Sequence, residues 1–295
     1  MESLPTCLVC DNQSFTTFLT CPDHFLTEEI FTICKCDKCG FLFTNPRPEA
    51  KELPRYYQSA EYISHSNSKK GIQNIIYQWV RKYTLGQKYK LIQKYKPGGS
   101  ILDIGCATGE FLNYFKNRNW GTFGIEPDEQ ARKMGILNYK LQIEDEDYLL
   151  KLPDASFDVI TMWHVLEHVP FLNERIVQLQ RLLSPSGILI IAVPNPSAQD
   201  AKLYGSFWAA YDVPRHLYHF TQETIALLFS KHGFELTRKI PMKFDSFYVS
   251  MLSEKYMHTK NRFLNGILSG FVSNRSAKQS GEYSSMIYAF RKVSA

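Results

Sequence analysis

The stretch that most constrains the fold is residues 100–109, Ser-Ile-Leu-Asp-Ile-Gly-Cys-Ala-Thr-Gly. Ile101, Leu102 and Ile104 predict a short buried strand, which follows a Pro-Gly-Gly breaker at 97–99. Gly105 and Gly109 predict a sharp turn, and the apolar spacing after it predicts a helix. A strand, a glycine-bearing turn and a helix N-terminus together expose backbone amides against which a ligand can lie.

Three further apolar runs predict the rest of a sheet, at residues 122–126, Phe157–Trp163 and 187–194. The last two are nearly continuous apolar strands, as expected of a parallel sheet that is covered on both faces. Glu126 ends the first run, 23 residues after Asp103. A doubly wound fold places the acid that binds ribose hydroxyls at about this spacing. The pattern therefore predicts an α/β fold with a doubly wound, mostly parallel sheet.

Two Cys-x-x-Cys pairs mark the N-terminal region, namely Cys7 with Cys10 and Cys36 with Cys39. Each pair can form a tight turn that points two thiolates at one ion, and two such turns make a tetrahedral Cys₄ site. The pattern resembles a zinc ribbon. Because four protein ligands leave no open coordination position, we expect the zinc to be structural. Redox-active pairs would need a thioredoxin-like context, which the sequence lacks.

Two other cysteines lie close to these pairs. We expect Cys34 to lie in the strand that leads into the second pair, without binding metal. Cys21-Pro-Asp-His24 is a weaker alternative source of ligands.

The composition is that of an ordinary globular protein, with 44% hydrophobic and 21% charged residues and a net charge of +5. Residues 196–295 carry 13 basic against seven acidic residues. That surplus fits a solvated basic face, and an acidic or phosphorylated substrate is the alternative. We expect no membrane span and no signal peptide, and hence a cytoplasmic protein whose seven cysteines are reduced or bound to metal.

We predict three regions along the chain: a zinc ribbon at 1–45, a linker with cofactor-covering helices at 46–96, and an α/β domain at 97–295. The α/β domain is expected to carry a substrate lid at 195–220 and a helical insertion at 241–284. Helical periodicity over residues 71–95 allows two helices with a break near Gly86. Upstream of them, Tyr62 or His65 could reach the cofactor or pack on the surface.

Five sequence blocks carry a family resemblance. They are Asp-x-Gly-x-x-x-Gly at 103–109, Gly-Ile-Glu-Pro at 124–127, Ser-Phe-Asp-Val-Ile at 156–160, His-Val-Leu-Glu-His-Val at 164–169 and Leu-Leu-Ser-Pro-Ser-Gly at 182–187. In this order and spacing they resemble the class I S-adenosylmethionine (SAM) dependent methyltransferases. The resemblance implies a Rossmann-like, seven-stranded, mostly parallel sheet with SAM as cofactor. One departure is Ala107, where many relatives have glycine.

The resemblance also implies roles for single residues. Glu126 would accept hydrogen bonds from both ribose hydroxyls, Asp103 would orient the loop or the amino group of SAM, and Glu144 would lie near the adenine. The full set of expected cofactor-binding residues is Asp103, Gly105, Cys106, Ala107, Gly109, Glu126, Pro127, Glu144 and Trp163.

Histidines supply the expected catalytic groups, because a hydroxyl acceptor needs a base or a cation to lose its proton. The His164-Val-Leu-Glu167-His168 segment resembles the ubiquinone-biosynthesis O-methyltransferases, in which the corresponding positions are implicated in divalent metal binding. Those enzymes have Glu where this chain has His164, which counts against the use of a metal here. As an alternative, Glu167 and His168 could cap and pack the helix that follows. The expected catalytic residues are His164, His168, Arg215, His216 and His219, the last three from an aromatic-rich segment beyond a strand end.

The sequence thus predicts a methyltransferase that moves a methyl group from SAM to a small or carrier-tethered acceptor by O-methylation. One alternative is a ribosomal RNA methyltransferase that uses the ribbon to recognise RNA. Residues 1–40, however, carry two lysines against six acidic residues, which makes nucleic acid an unfavourable partner. Another alternative is a non-catalytic SAM-binding protein. The chain could also pair as a homodimer.

Overall fold

The computed structural model describes residues 1–57 and 72–293, and of residues 72–79 only the backbone. Tyr62 and His65, for which a cofactor contact is one expectation, lie outside the described residues. The chain divides into two compact units. The first comprises Met1–Ser59, His164–Asn173 and Ala192–Tyr288, and the second comprises Ala60–Trp163, Glu174–Ile191 and Ala289–Ala295.

The first unit contains a four-stranded sheet in the order β1-β2-β3-β9. Its strands are β1 (Phe15–Pro22), β2 (Ile30–Cys36), β3 (Leu42–Thr44) and β9 (Tyr218–His219). All three neighbouring pairs are antiparallel, and β9 pairs with β3 through Leu42 with His219 and Phe43 with Tyr218. The cysteine-bearing hairpin is therefore joined to a segment that lies far along the chain.

A parallel sheet core lies in the second unit. Its strands are β4 (Ser100–Ile104), β5 (Gly121–Ile125), β6 (Ile143–Glu144) and β7 (Phe157–Trp163). β5 pairs with β4 and β6, β4 also pairs with β7, and all these pairs are parallel. The apolar residues of β4 are buried, because parallel strands are covered on both faces.

Three longer strands complete this sheet, which has the order β10-β11-β8-β7-β4-β5-β6 in the described part of the chain. They are β8 (Leu183–Pro194), β10 (Phe234–Pro241) and β11 (Ser285–Lys292). The predicted seven-stranded, mostly parallel α/β sheet is confirmed. β8 begins four residues earlier than its apolar run, and the two-residue strand β6 was not predicted as a strand.

Eight α-helices occur among the described residues. They are α1 (Ile72–Gln93), α2 (Glu110–Lys116), α3 (Glu129–Tyr139), α4 (Leu172–Leu182), α5 (Gln199–Tyr204), α6 (Gln222–Lys231), α7 (Asp245–Tyr256) and α8 (Arg262–Ser280). The break considered near Gly86 is wrong, since α1 runs through it. One glycine inside a helix costs only about 1 kcal/mol relative to alanine, which a long packed helix tolerates. α6 starts as predicted, with a capping box between Thr221 and Thr224.

The segment expected to be a lid, residues 195–220, is packed into the first unit. Trp208 is 1% exposed, and its Nε1 donates a hydrogen bond to Asp200 at 2.8 Å. Its neighbours form short 3₁₀ turns whose apolar side chains join the hydrophobic core with Phe31 and Ile33 of β2. The aromatic density of this segment therefore contributes to a core.

None of the helices in the described ranges is long and apolar enough to cross a membrane. α7 and α8, which follow β10, pack against each other within the first unit.

Candidate functional site

The loop after β4 has the backbone shape that its glycines predict. Gly105 and Gly109 have φ angles of 73° and 81°. The positive φ of Gly109 favours glycine, and a Cβ atom there would lie 2.5 Å from Leu141 Cδ1, so the Leu141 side chain would have to shift. Ala107 also lies in the left-handed region, at a φ of 48°. This conformation accounts for the glycine that many relatives have at this position, because glycine adopts it without the penalty that a Cβ adds. Ala107 adopts it with the smallest side chain that has a Cβ.

Glu126 fastens this loop to the end of β5. Its Oε2 accepts a hydrogen bond from the Ala107 amide at 2.8 Å, and its Oε1 accepts one from the Asp128 amide at 2.9 Å. The side chain is 9% exposed, and this burial raises its pKa. A carboxylate offers about four lone-pair positions. Two of them therefore remain for further donors, which is the number that a ribose diol requires.

Asp103 is buried within the sheet. Thr161, its partner on β7, donates a hydrogen bond from Oγ1 to Asp103 Oδ1 at 2.6 Å. Burial raises the pKa of Asp103 to about 7, against the opposing effects of the Thr161 hydrogen bond and the Lys88 charge.

The remaining expected cofactor residues surround the same strand ends. The amides of Gly105 and Cys106 both donate to the Ile125 carbonyl, at 2.7 and 3.1 Å. These two amides are therefore used within the protein. The carbonyl of Glu144 accepts the Glu126 amide at 3.0 Å, and the carbonyl of Pro127 accepts from an Arg132 guanidinium nitrogen at 2.7 Å.

Trp163 ends β7, and its indole Nε1 is a buried hydrogen-bond donor. Its buried Nε1 has no hydrogen-bond acceptor among the described residues. Lys88 Nζ lies 3.8 Å from the centre of the indole ring, and the Phe111 ring packs edge-on at 5.6 Å. A buried donor without an acceptor, next to a loop that requires glycine, fits a site built for a polar ligand.

The four cysteines of the two pairs converge. Their sulfur atoms all lie within 4.8 Å of one another, with Cys7 Sγ 3.6 Å from Cys39 Sγ and Cys10 Sγ 3.5 Å from Cys36 Sγ. An all-thiolate set of four is what structural zinc prefers, so these residues fit the ion.

The other two nearby thiols have separate partners. Cys34 Sγ faces the carbonyl of Asn45 at 3.5 Å, and Cys21 Sγ donates to the carbonyl of Ser206 at 3.0 Å. The ring of His24 also bonds to that Ser206 carbonyl, at 3.1 Å. The weaker alternative of ligands from Cys21 and His24 therefore receives no support from the geometry.

His164 follows β7 and has a φ of 57°. Its Nε2 lies 3.0 Å from Asp245 Oδ2, and its Nδ1 lies 3.5 Å from Glu167 Oε1. Burial lowers the pKa of His164, but the hydrogen bond to Asp245 and the charges of the two carboxylates outweigh burial and raise it to about 10. A protonated His164 fits the cation, and not the base, of the two roles expected of the catalytic histidines, and its catalytic role stays a prediction.

His168 and His216 form a pair, with ring centres 4.5 Å apart and the planes nearly perpendicular. His168 Nδ1 lies 3.1 Å from the carbonyl of Arg215, and His216 Nδ1 lies 2.8 Å from the carbonyl of Ala210. A carbonyl only accepts, so His216 Nδ1 carries the proton and its Nε2 keeps a lone pair, 3.9 Å from Asp212 Oδ2. His168 Nδ1 also lies 3.0 Å from the Tyr57 hydroxyl, which can donate or accept, and the Arg215 carbonyl favours a proton on this nitrogen. Burial is the largest cause that lowers the pKa of His168, to about 4, so this ring is neutral at pH 7.

Glu167 completes the cluster. Its carboxylate is 1% exposed, and neither oxygen accepts a hydrogen bond from the described residues. Burial raises its pKa, but the charged His164 ring, whose Nδ1 lies 3.5 Å from Oε1, outweighs burial, so the net shift is downward. Donor atoms of Glu167, His168 and His216 all lie within 4.8 Å of one another. A buried carboxylate and two rings oriented by carbonyls fit a divalent cation. His216 takes the place in this set that the sequence suggested for His164.

Arg215 and His219 have other surroundings. Arg215 is 2% exposed, and its guanidinium donates to Asp212, to Asp23 at 2.7 Å and to the carbonyl of Tyr56 at 3.0 Å. These partners hold it inside the protein, and the catalytic role expected of Arg215 stays a prediction. His219 lies in β9 with its ring packed against Tyr211, and burial lowers its pKa to about 3.

A cleft of about 850 Å³ also lies in the first unit, lined by β1 residues, by the turn that contains His24, and by the region between α7 and α8. None of the expected site residues lines it.

Comparisons with known proteins agree with these features. A family model described as a methyltransferase domain matches residues 77–239, more than half of the chain. An uncharacterised methyltransferase from Geobacillus kaustophilus is 28% identical over 152 residues, which is 47% of this chain and 70% of that protein. The ubiquinone biosynthesis O-methyltransferase of Thiobacillus denitrificans is 30% identical over 111 residues, or 35% of this chain and 47% of that protein.

Among solved structures, the phosphoethanolamine N-methyltransferase 2 of Haemonchus contortus, in complex with SAM, has the same fold. Its TM-score is 0.53 at 14% identity, covering 95% of this chain and 69% of that one. The chain thus belongs to the methyltransferase domain family. It is a SAM-dependent methyltransferase of class I.

Proposed function

We propose that this methyltransferase methylates a hydroxyl group of a small molecule, free or tethered to a carrier, with His168 and His216 as the acid–base groups. The observation that carries the proposal is the pair of neighbouring rings, in which His216 Nδ1 donates to the Ala210 carbonyl and leaves the Nε2 lone pair for a proton. The likeness to an O-methyltransferase over part of the chain supports the choice of oxygen as acceptor atom.

The reaction requires one proton to be removed. As the new C–O bond forms, the C–S bond of SAM breaks, sulfur keeps the electron pair, and the hydroxyl gives up its proton. A neutral Nε2 can accept that proton, and the Glu167 carboxylate stabilises the resulting imidazolium. General-base assistance of this kind contributes on the order of 10²–10⁴-fold. Alignment of the acceptor with the methyl group contributes about 7–11 kcal/mol more.

Two groups of side chains would hold metal ions. Glu167, His168 and His216 would hold a divalent cation, which would lower the pKa of a bound hydroxyl. Cys7, Cys10, Cys36 and Cys39 would hold a structural zinc ion.

We assign SAM binding to the nine residues named from the motifs, with Glu126 central among them. Its two remaining acceptor positions would take the ribose hydroxyls while its other two hold the loop. Trp163 Nε1 would donate to a polar group of the ligand, which would satisfy the buried donor. Asp103 would orient the loop through its place beside Thr161.

Transfer of labelled methyl groups from SAM into a cell extract tests the catalytic assignment. His168→Gln and His216→Gln should each reduce transfer by about 10²–10⁴-fold while SAM affinity stays within about twofold of the wild-type value. His258→Gln, at an exposed histidine outside the cluster, serves as the matched control. Full transfer by both cluster variants would refute the histidine roles. Label recovered in RNA would instead favour the nucleic-acid alternative.

Chelation separates a metal-assisted reaction from a metal-free one. A chelator that leaves the zinc content unchanged should stop transfer only if Glu167 and the two histidines hold a required cation. Restoration of transfer by added Mg²⁺ or Mn²⁺ would confirm that requirement, and full transfer in chelator would exclude it.

A further inference from the structure

Helix α8 has an unusual distribution of side chains. Its buried face consists of small residues, Gly266, Gly270, Ser273 and Ala277. A Cβ atom on Gly266 would lie 2.6 Å from Met251, and one on Gly270 would lie 2.6 Å from Phe247. The backbones of α7 and α8 therefore approach closely, and the Phe271 ring packs edge-on against Phe247 of α7 at 4.9 Å.

The large apolar residues of α8 point to solvent instead. Phe263, Leu264, Leu268, Phe271 and Val272 are between 55% and 62% exposed. Leu264, Leu268 and Phe271 follow one another at i, i+4 and i+7, so they form one stripe along the helix. At about 100 Å² for each side chain, the five expose roughly 500 Å², near the upper end of what single proteins leave uncovered.

All charges on this helix are positive. Arg262, Arg275 and Lys278 lie on α8, Lys260 immediately precedes it, and residues 255–281 contain no Asp or Glu. All four cations are exposed, and within the described residues none of them forms an ion pair. An apolar stripe on a helix whose only charges are cations is complementary to a surface that is apolar inside and anionic outside.

We propose that α8 docks the protein on a membrane surface that carries anionic lipid headgroups. The stripe would enter the boundary between headgroups and acyl chains, and the four cations would meet the lipid phosphates. A second copy of the chain is a poorer occupant. A two-fold contact would place this all-basic surface against itself, and roughly 500 Å² falls short of the about 800 Å² per partner of a stable interface.

Co-sedimentation with vesicles tests the proposal, using phosphatidylcholine vesicles with and without phosphatidylglycerol. The wild-type protein should bind the anionic vesicles, bind the neutral ones at least tenfold more weakly, and dissociate as salt is raised. The double variant Leu268→Ser, Phe271→Ser should lose at least tenfold in binding. The double variant Arg275→Gln, Lys278→Gln should lose about fivefold for each cation removed.

Two control variants carry substitutions of the same kind outside α8. Leu137→Ser alters an apolar residue that is 79% exposed on α3, and Arg238→Gln with Lys239→Gln removes two exposed cations from β10. Both should bind like the wild type. Melting curves show which variants are folded, and only folded variants are compared.

Two kinds of result would overturn the proposal. The first is a vesicle result, either equal binding to neutral and anionic vesicles or no binding to either. The second is a dimer in light scattering that dissociates in the Leu268→Ser, Phe271→Ser variant, which would assign the stripe to a second copy. Because the assay needs neither SAM nor an acceptor, its outcome is independent of the proposed reaction.

Discussion

Replacement of Glu126 by alanine should weaken SAM binding by about 10- to 150-fold. The wild-type carboxylate holds the Ala107 amide at 2.8 Å and the Asp128 amide at 2.9 Å, and it has two acceptor positions left for the ribose. A hydrogen bond to a charged group contributes about 1.5–3 kcal/mol, and each 1.4 kcal/mol corresponds to a tenfold change in affinity. The lower limit corresponds to the loss of one such bond, and the upper limit to the loss of a strong one or of two weaker ones.

Glu126→Gln refines this test. An amide oxygen can still accept one backbone hydrogen bond, but the amide nitrogen cannot replace the second acceptor. This variant should therefore lose affinity by about tenfold, less than the alanine variant. Calorimetric titration with SAM measures both, and melting curves show whether the loop still folds.

Glu129→Ala is the control, because Glu129 is an exposed carboxylate on α3 that forms an ion pair with Lys133. It should bind SAM like the wild type. If Glu126→Ala also bound SAM within twofold of the wild type, the assignment of this carboxylate to the cofactor site would be refuted.

Three further predictions concern the first unit. Cys36→Ser should lose the zinc while Cys34→Ser keeps it, as measured by elemental analysis, and loss of zinc from Cys34→Ser alone would contradict the ligand set. His164 should stay protonated at neutral pH in histidine NMR spectra. Because its pKa is raised from 6.5 to about 10, its contribution to stability is fully present below about pH 6.5 and is lost as the pH rises through 10, and Asp245→Asn should reduce this loss. Arg215→Ala should lower the free energy of unfolding in urea by about 3–5 kcal/mol, because it leaves buried carboxylates without their cation, and an unchanged midpoint would contradict the buried pairing.

Strands of the large sheet could be predicted because buried parallel strands leave continuous apolar runs. β7 was predicted with its observed bounds, and β4 and β5 to within one residue. The start of β8 could not be predicted, because its first residues include Ser184, Pro185 and Ser186. β6 has only two residues, too few for any periodicity.

The cysteine pairs were predictable for a different reason. Their spacing fixes two turns locally, and four thiols have few reasons to converge other than a metal. The agreement between sequence and structure is therefore close at the ribbon.

Contacts between distant parts of the chain account for what was missed. Asp245 is 81 residues from His164, and Asp23 is 192 residues from Arg215. Nothing in the local pattern signals that these carboxylates turn His164 into a fixed cation and hold Arg215 in the core. Local signals did exist for Glu167 and His168, but the third member of their cluster, His216, comes from a segment whose packing depends on tertiary contacts.

The chemical identity of the methyl group after transfer tests the central claim most directly. The enzyme is incubated with a cell extract and SAM whose methyl carbon is ¹³C, and the labelled product is examined by NMR and mass spectrometry. We predict a single small-molecule fraction in which the label has the carbon shift of a methoxy group, and loss of that signal in His216→Gln. A label on nitrogen, on carbon or in RNA, or an undiminished signal in the variant, would contradict the proposed reaction.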